Sequence, residues 1–176
     1  MAEDPETPPP PPPPLPLPRR AEATMAMGET PSPFRFRAEV PVRFRDIDVG
    51  GHAHHSHALA YFEEARWRYW TDVAGREARA EAVDYILAEA RLRYRSRILH
   101  PDILSVGVRA ESVGRTHVEL AYEVRTGRDE VAVTGSTILV MYDYAAGRSK
   151  PVPDDLRVRL ERHEGRPLPR RADPSR

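Results

Sequence analysis

The sequence predicts an α+β domain in which an antiparallel sheet packs against one long helix. Three observations support this fold class. Apolar and polar residues alternate, at the period of a strand, on both sides of a single segment that has the period of a helix. The helical segment follows the first strand directly, and four strand-like segments come after it. Because these four segments are close together in the sequence, we expect them to pair antiparallel.

The composition limits the classes of function. Lys plus Arg and Asp plus Glu number 27 each, so no overall field attracts nucleic acid or an anionic membrane. The absence of cysteine excludes disulfides, thiolate nucleophiles and iron–sulfur clusters. No apolar run reaches the ~20 residues that cross a bilayer, and the N-terminus lacks the apolar core of a signal peptide. We therefore expect a cytoplasmic protein that binds neither nucleic acid nor membrane.

One domain is predicted between two loose ends. Residues 1–34 contain the run PETPPPPPPPLPLPRR, which cannot bury enough apolar area to offset its ordering entropy. We expect this segment to be a disordered, proline-rich tail. Residues 35–163 form the predicted domain, and residues 164–176 form a flexible C-terminal tail.

The first strand and the long helix are predicted by a change of period. Residues 34–47, FRFRAEVPVRFRDI, alternate as a half-buried strand does, and Pro41 within them indicates an edge strand or a bulge. From residue 57 a stripe with helical spacing predicts a helix that ends near Gly75. The stripe consists of Ala58, Tyr61, Phe62, Ala65 and Tyr69.

Four strands and a second helix complete the prediction. The strands are expected over residues 90–98, 103–113, 116–126 and 131–144, with Gly114 and Arg115 forming a hairpin turn. Residues 138–142 are apolar on both faces, which is typical of a strand near the middle of a sheet or at a subunit interface. Pro153 and the two aspartates after it predict a short surface helix over residues 153–165.

Titratable side chains are concentrated just before the long helix. Residues 46–57 contain two aspartates, two glycines and four histidines. Glycines allow a sharp turn and would leave backbone N–H groups open to a ligand, and the helix points the positive end of its dipole at the loop. Such donors stabilise a developing oxyanion. The histidines also resemble a zinc cluster, but no further converging ligand is evident, so we predict no metal and no cofactor.

Three segments together resemble a known family. VRFRDIDVGGHAHH (42–55) followed by YFEEAR (61–66) resembles the opening of the hotdog-fold acyl-CoA thioesterases of the 4-hydroxybenzoyl-CoA thioesterase-like family. VGRTHVEL (113–120) is similar to that family's hairpin, and LVMYDYAAGRSKPVP (139–153) to its last long strand, turn and proline. The resemblance covers about residues 36–160. It implies a hotdog fold, an antiparallel five-stranded sheet wrapped around a long central helix, with a short C-terminal helix.

The resemblance implies two catalytic residues. The family's catalytic carboxylate corresponds to Asp48. A thioester hydrolase needs a group that activates water or attacks the carbonyl itself, and a carboxylate can do either, so both roles remain open. A purely structural alternative is that Asp48 forms a turn into the glycines. In one branch of the family a histidine seven residues further on is functional, and that position is His55.

Five residues are assigned to substrate binding. Gly51 would contribute its turn and its N–H, and His54, where many relatives carry asparagine or tyrosine, would contact the acyl group. Glu63 matches the glutamate of the family's helix, where it would either face the pocket or tie the helix to the sheet. Arg115 and Thr116 lie at the family's hairpin position, where arginine can bind the phosphates of coenzyme A in bidentate fashion.

Other charged residues receive structural interpretations. Asp46 is expected to form a salt bridge with Arg43 or Arg45. His52 and His57 are expected to be loop and helix-surface residues. The arginines between residues 91 and 97 are interpreted as a solvated or subunit-contacting face.

The predicted function is hydrolysis of an acyl-CoA thioester to a free acid and CoA. The resemblance implies a homodimer or homotetramer that needs no cofactor. One alternative is a non-catalytic acyl-CoA-binding sensor or scaffold that keeps only the pocket, which fold alone does not exclude. A second is an enoyl-CoA hydratase on the same fold, which the position of Asp48 close to the first strand disfavours.

Overall fold

The computed structural model describes residues 33–77 and 83–170. Within these ranges the predicted order of one strand, a long helix, four strands and a terminal helix is confirmed, with a 3₁₀ turn and a two-residue strand added. The elements are β1 (Phe36–Pro41), the 3₁₀ turn (Phe44–Asp46), α1 (His57–Asp72), β2 (Tyr85–Tyr94), β3 (Ile103–Val113), β4 (His117–Arg125), β5 (Val131–Asp143), β6 (Arg148–Ser149) and α2 (Asp154–Glu164).

The described strands form one antiparallel sheet. Its order is β1-β3-β4-β5-β2, and β6 pairs with β5. β3, β4 and β5 follow one another as hairpins, whereas β1 and β2, which flank α1 in the sequence, lie at opposite edges. The helix therefore has to cross the whole sheet between them. This arrangement is the hotdog fold that the sequence implied.

The predicted stripe of α1 forms the centre of the core. All five of its residues are buried, and Arg66 and Trp70 are buried beside them. The ring of Phe62 stacks on Tyr122 of β4, with 4.3 Å between ring centroids. A Cβ at Gly135 of β5 would lie 2.8 Å from the Phe62 ring and 2.3 Å from the carbonyl oxygen of Arg91, so only glycine fits here. The aromatic side of α1 is thus fixed against the sheet.

The first strand ends earlier than predicted. β1 stops at Pro41 and does not reach Ile47. A 3₁₀ turn replaces its last part because the buried Asp46 carboxylate accepts the backbone N–H of Arg43 at 2.9 Å. Pro41, which has no N–H to donate, lies at the end of an edge strand, as the sequence indicated.

The chain stays ordered against the sheet beyond the predicted end of the domain. After α2, Leu168 is buried, and the N–H of Val113 donates to the Pro169 carbonyl at 3.1 Å. The predicted flexible tail from residue 164 is therefore packed on β3 as far as the description extends, because Leu168 has an apolar site to fill. The predicted disorder of residues 1–34 falls almost wholly outside the described residues. Neither α1 nor α2 is long and apolar enough to cross a membrane, and the described ranges contain no other helix that is.

Candidate active site

A tight turn carries Asp48 between the 3₁₀ turn and α1. The N–H of Asp48 donates to the carbonyl of His52 at 3.0 Å, and the N–H of Gly51 donates to the carbonyl of Asp48 at 3.0 Å. Ile47 and Ala53 pair across the base of this turn. Gly51 has φ +72°, a conformation that favours glycine. Its role is to close the turn, which brings residue 48 and residue 52 side by side.

The carboxylate of Asp48 has one bonded and one free oxygen. Oδ1 accepts the N–H of Gly50 at 2.7 Å and lies 3.1 Å from Nδ1 of His52. Among the described residues no donor reaches Oδ2. The N–H of Gly50 lowers the pKa of Asp48 below its ordinary value, partial burial opposes this shift, and His52 adds to it. Asp48 is therefore ionised at neutral pH, with Oδ2 available to a ligand.

The expected open N–H groups of the two glycines are not open, which corrects the sequence prediction. Both are used inside the turn, by the side chain and the carbonyl of Asp48. The N–H of His54 donates to Asp46 and that of His57 donates to His54. In the described part of the chain the N–H of His55 has no acceptor. The donor available near the start of α1 is thus at residue 55, not at residues 50 and 51.

Asp48 lines a cleft of about 370 Å³ between its own loop, the first turns of α1 and the end of β2. Two hydrogen bonds join these walls: the N–H of Ala53 donates to the carbonyl of Ile98 at 2.8 Å, and the Tyr94 hydroxyl donates to the carbonyl of His55 at 2.8 Å. The lining residues are Asp48, His52, Ala53, His54, His55, Ala58, Tyr61, Tyr94, Arg95, Ser96, Arg97, Ile98 and Val133.

Three histidines share this cleft. His54 and His55, both predicted as site residues, line it with their rings 4.0 Å apart, and Nδ1 of His54 lies 2.9 Å from Oγ of Ser56. The partner of the Asp48 carboxylate, however, is His52, which the sequence analysis treated as a loop residue. The i, i+4 spacing across two glycines was the available signal for this pair. The four histidines and two aspartates do not converge on one point, and no described group of three or more such side chains is placed to hold a metal ion.

Asp46 is structural, though not in the way predicted. Its buried carboxylate accepts the Tyr61 hydroxyl at 3.0 Å and the backbone N–H of Arg43, with His57 3.5 Å away. The guanidinium of Arg43 instead pairs with Glu64. Burial, followed by the hydrogen bond to Asp46, raises the pKa of Tyr61. Tyr61 therefore stays protonated and connects the cleft wall to the buried carboxylate.

Three predicted substrate-binding residues lie away from the cleft. Glu63 is on the exposed face of α1. Arg115 and Thr116 form the β3–β4 turn, next to His117. Val124 of β4 pairs with cleft-lining Val133, so the seven steps from His117 to Val124 place the turn roughly 24 Å from the cleft, at about 3.4 Å per residue.

Two arginines that the sequence analysis assigned to a solvated or subunit-contacting face, Arg95 and Arg97, are exposed as predicted and also line the cleft. The N–H groups of Arg95 and Ser96 both donate to the carbonyl of Ala132, at 2.7 and 3.3 Å. Because the two N–H groups share one acceptor, the side chains no longer alternate between the two faces of the strand after β2 ends. Residues 95, 96 and 97 therefore all line the cleft. The alternating sequence pattern gave no sign of the bend.

The comparisons with known proteins agree with the fold. A family model described as the thioesterase-like superfamily matches residues 42–160. A thioesterase from Thermus thermophilus, solved with coenzyme A and zinc, is 34% identical over 78% of this chain and 99% of its own, with a TM-score of 0.70. No curated protein matches this chain in sequence.

Two further solved structures are similar. A putative thioesterase from Pseudomonas aeruginosa is 28% identical over 69% of this chain and 95% of its own, with a TM-score of 0.62. A Staphylococcus aureus protein in complex with CoA is 16% identical over 79% of this chain and 89% of its own, with a TM-score of 0.66. At that identity the second likeness concerns the fold alone.

Proposed function

This chain belongs to the thioesterase-like superfamily, and from that premise we propose that it hydrolyses an acyl-CoA thioester to a free acid and CoA. The observation that carries the proposal is the cleft itself. Asp48, which is ionised and has a free carboxylate oxygen, and His55, whose backbone N–H has no acceptor among the described residues, line the same cavity. The coenzyme A bound by the Thermus thermophilus relative supports CoA as the carrier.

The chemistry assigned to Asp48 has two forms. As a general base, Oδ2 takes a proton from water, whose oxygen then adds to the thioester carbonyl. As a nucleophile, Oδ2 adds to the carbonyl, expels the thiolate and leaves a mixed anhydride that water hydrolyses. In either form the C–S bond breaks and the thiolate takes up a proton. Because the pKa of Asp48 is lowered, its carboxylate is ionised at neutral pH, as both forms require.

His52 and His55 have different proposed tasks. His52 holds Oδ1, and together with the N–H of Gly50 it directs Oδ2 away from the turn. The backbone N–H of His55 donates to the oxyanion of the tetrahedral intermediate, and its imidazole is close enough to the cleft to orient water or to protonate the leaving thiolate. His54, whose ring is tilted against that of His55, forms the adjoining wall.

The phosphates of CoA are assigned to Arg115 and Thr116 of a second copy of the chain. Within one copy these residues lie at the opposite end of β4 from the cleft. β2 is an edge strand of ten residues with exposed Ile86 and Leu87, which suits pairing with another subunit. We therefore propose a homodimer or homotetramer, which light scattering coupled to size-exclusion chromatography tests.

The described side chains do not form a zinc site. The Thermus thermophilus structure contains zinc, but no three His, Asp or Glu side chains in the described ranges converge as zinc requires. The lack of cysteine is consistent with the proposed cytoplasmic location.

Thiol release tests the proposed function. Purified protein is incubated with a panel of acyl-CoAs, free CoA is followed with a chromogenic disulfide, and the free acid is identified by mass spectrometry. We expect turnover in the wild type and its loss in Asp48→Asn. The exposed Asp72→Asn makes the same charge change outside the cleft and serves as the control. Binding of acyl-CoA without turnover in the wild type would support the sensor alternative instead.

A further inference from the structure

The cleft contains two arginines without an acidic partner. Arg95 and Arg97 both line it and both are exposed. No described carboxylate lies within ion-pair distance of either. Elsewhere on β2 the guanidinium of Arg91 pairs with Glu89, 2.6 Å away. The two cleft arginines are therefore available to an anion that enters the cavity.

These arginines line the same cleft as the reacting group. Arg97 directly precedes Ile98, whose carbonyl accepts the N–H of Ala53, and Ala53 directly follows His52, the partner of Asp48. Apart from the histidines, the charged residues of the lining are two arginines and one aspartate, which together have a net positive charge. An anionic ligand is thus favoured even while Asp48 is ionised.

An anion at this position could come from either end of an acyl-CoA. The phosphates of CoA are separated from the thioester by the whole pantetheine arm, whereas a carboxylate on a short acyl chain stays close to the reacting carbonyl. The cleft, at about 370 Å³, is near the lower end of the roughly 300–1,000 Å³ usual for ligand sites. A short acyl group that ends in a carboxylate fits both the size and the charge of this cavity.

We propose that Arg95 and Arg97 bind the terminal carboxylate of a short dicarboxylic acyl group, so that the substrates are CoA thioesters of short diacids. This inference rests on the proposed thioesterase function and names its substrate class. The planar guanidinium groups bind a carboxylate through paired N–H donors, which a neutral acyl chain of the same length does not offer.

The test compares two CoA thioesters of equal chain length, glutaryl-CoA and valeryl-CoA, with the enzyme-free rate subtracted. The wild type is expected to have the higher kcat/KM on glutaryl-CoA. In Arg95→Ala/Arg97→Ala the glutaryl-to-valeryl ratio of kcat/KM is expected to fall about 10- to 100-fold, the range of a charged hydrogen-bonded contact. Arg93→Ala removes an exposed arginine of β2 that does not line the cleft, and it should leave the ratio as in the wild type.

A second pair of substrates separates the two sources of negative charge. Glutaryl and valeryl thioesters of N-acetylcysteamine lack phosphates, and the double variant should reduce the glutaryl preference on them as well. The opposite outcome is that the double variant lowers kcat/KM equally on both CoA substrates and leaves kcat/KM unchanged on both N-acetylcysteamine thioesters. In that case the arginines bind CoA phosphate, and the acyl assignment is overturned. A changed oligomeric state with an unchanged ratio would make them a subunit contact, which also overturns it.

Failure of the inference and failure of the proposed function give different results. If the wild type hydrolyses both thioesters without preference, only the diacid assignment fails. If it hydrolyses no thioester, the proposed function fails, and calorimetric binding of glutaryl-CoA and valeryl-CoA then tests the arginine pair alone. A preference for glutaryl-CoA that the double variant abolishes would support the subsite, and equal affinities in the wild type would overturn it.

Discussion

Replacing Gly50 by alanine tests how closely activity depends on the arrangement of Asp48 and His52. A Cβ at residue 50 would lie 3.0 Å from Oδ1 of Asp48 and 3.0 Å from Cε1 of His52, whereas ordinary contact begins at 3.4 Å. The two side chains must therefore retreat by about 0.4 Å or more. Because a misplacement of about 1 Å can cost roughly 100-fold in rate, we expect kcat/KM to fall about 10-fold.

The fold should tolerate this substitution. The atoms that must move are the ends of side chains, and Gly50 does not have a positive φ, so the backbone is not strained. Gly147→Ala is the matched control, because nothing lies within 4 Å of its added Cβ, but its φ of +64° makes alanine unfavourable. It should cost roughly 1 kcal/mol of stability without touching Asp48.

The assay measures kcat/KM by thiol release and the free energy of unfolding by urea for both variants. We expect Gly50→Ala to lose activity and keep its stability, and Gly147→Ala to do the reverse. A Gly50→Ala protein with kcat/KM within twofold of the wild type would refute the argument, because the pairing of Asp48 with His52 would then have no bearing on the rate.

Three other predictions concern stability and titration. Tyr61→Phe removes the hydroxyl donor of the buried Asp46 and should lower the free energy of unfolding by about 1–3 kcal/mol, measured by urea denaturation. Leu168→Ala should lower the free energy of unfolding by about 2–5 kcal/mol in the same assay, because the side chain is buried against the sheet. An unchanged free energy of unfolding would mean that residues 164–170 form a loose tail, as the sequence predicted. The pKa of Asp48 is lower in the folded state than in the unfolded state. The ionised carboxylate therefore contributes to the free energy of unfolding at pH values above its unfolded-state pKa, and this contribution is lost as the pH falls through its folded-state pKa. Asp48→Asn should therefore weaken the dependence of stability on pH below about 4, and thermal unfolding at stepwise lower pH values that is identical in both proteins would contradict this.

The sequence predicted the elements whose periodicity is set by burial. The five-residue stripe of α1 faces the sheet because each member fills the core, and the strands after it pair as their short connections require. β1 was predicted too long because the alternation of apolar and polar residues continues past Pro41. In the structure the backbone bends there, because the N–H of Arg43 donates a hydrogen bond to the Asp46 carboxylate. Local pattern does not reveal such a side-chain bond.

The candidate site was predictable only in part. Asp48, His54 and His55 were assigned from the resemblance to the family, and all three line the cleft. His52 and the two arginines were assigned structural roles, since their position depends on how the turn closes and on where β2 bends. These are tertiary events that a periodic pattern does not encode.

Three predicted substrate-binding residues lie away from the cleft for a physical reason. Arg115 and Thr116 match the family's hairpin, but a hairpin's distance from the cleft is set by the length of β4 and not by the motif. Glu63 matches the family's helix, but it lies on the exposed face. The proposed contact of Arg115 and Thr116 with a second subunit is likewise not encoded in the periodic pattern of one chain.

The most direct measurement of the central claim separates chemistry from binding at Asp48. It compares kcat of wild type and Asp48→Asn on one acyl-CoA, together with the Kd of a non-hydrolysable CoA thioether. If the free carboxylate oxygen performs the reaction, kcat falls by about 10²–10⁴-fold while Kd changes little. Retention of the wild-type kcat in Asp48→Asn, with normal binding, would contradict the account.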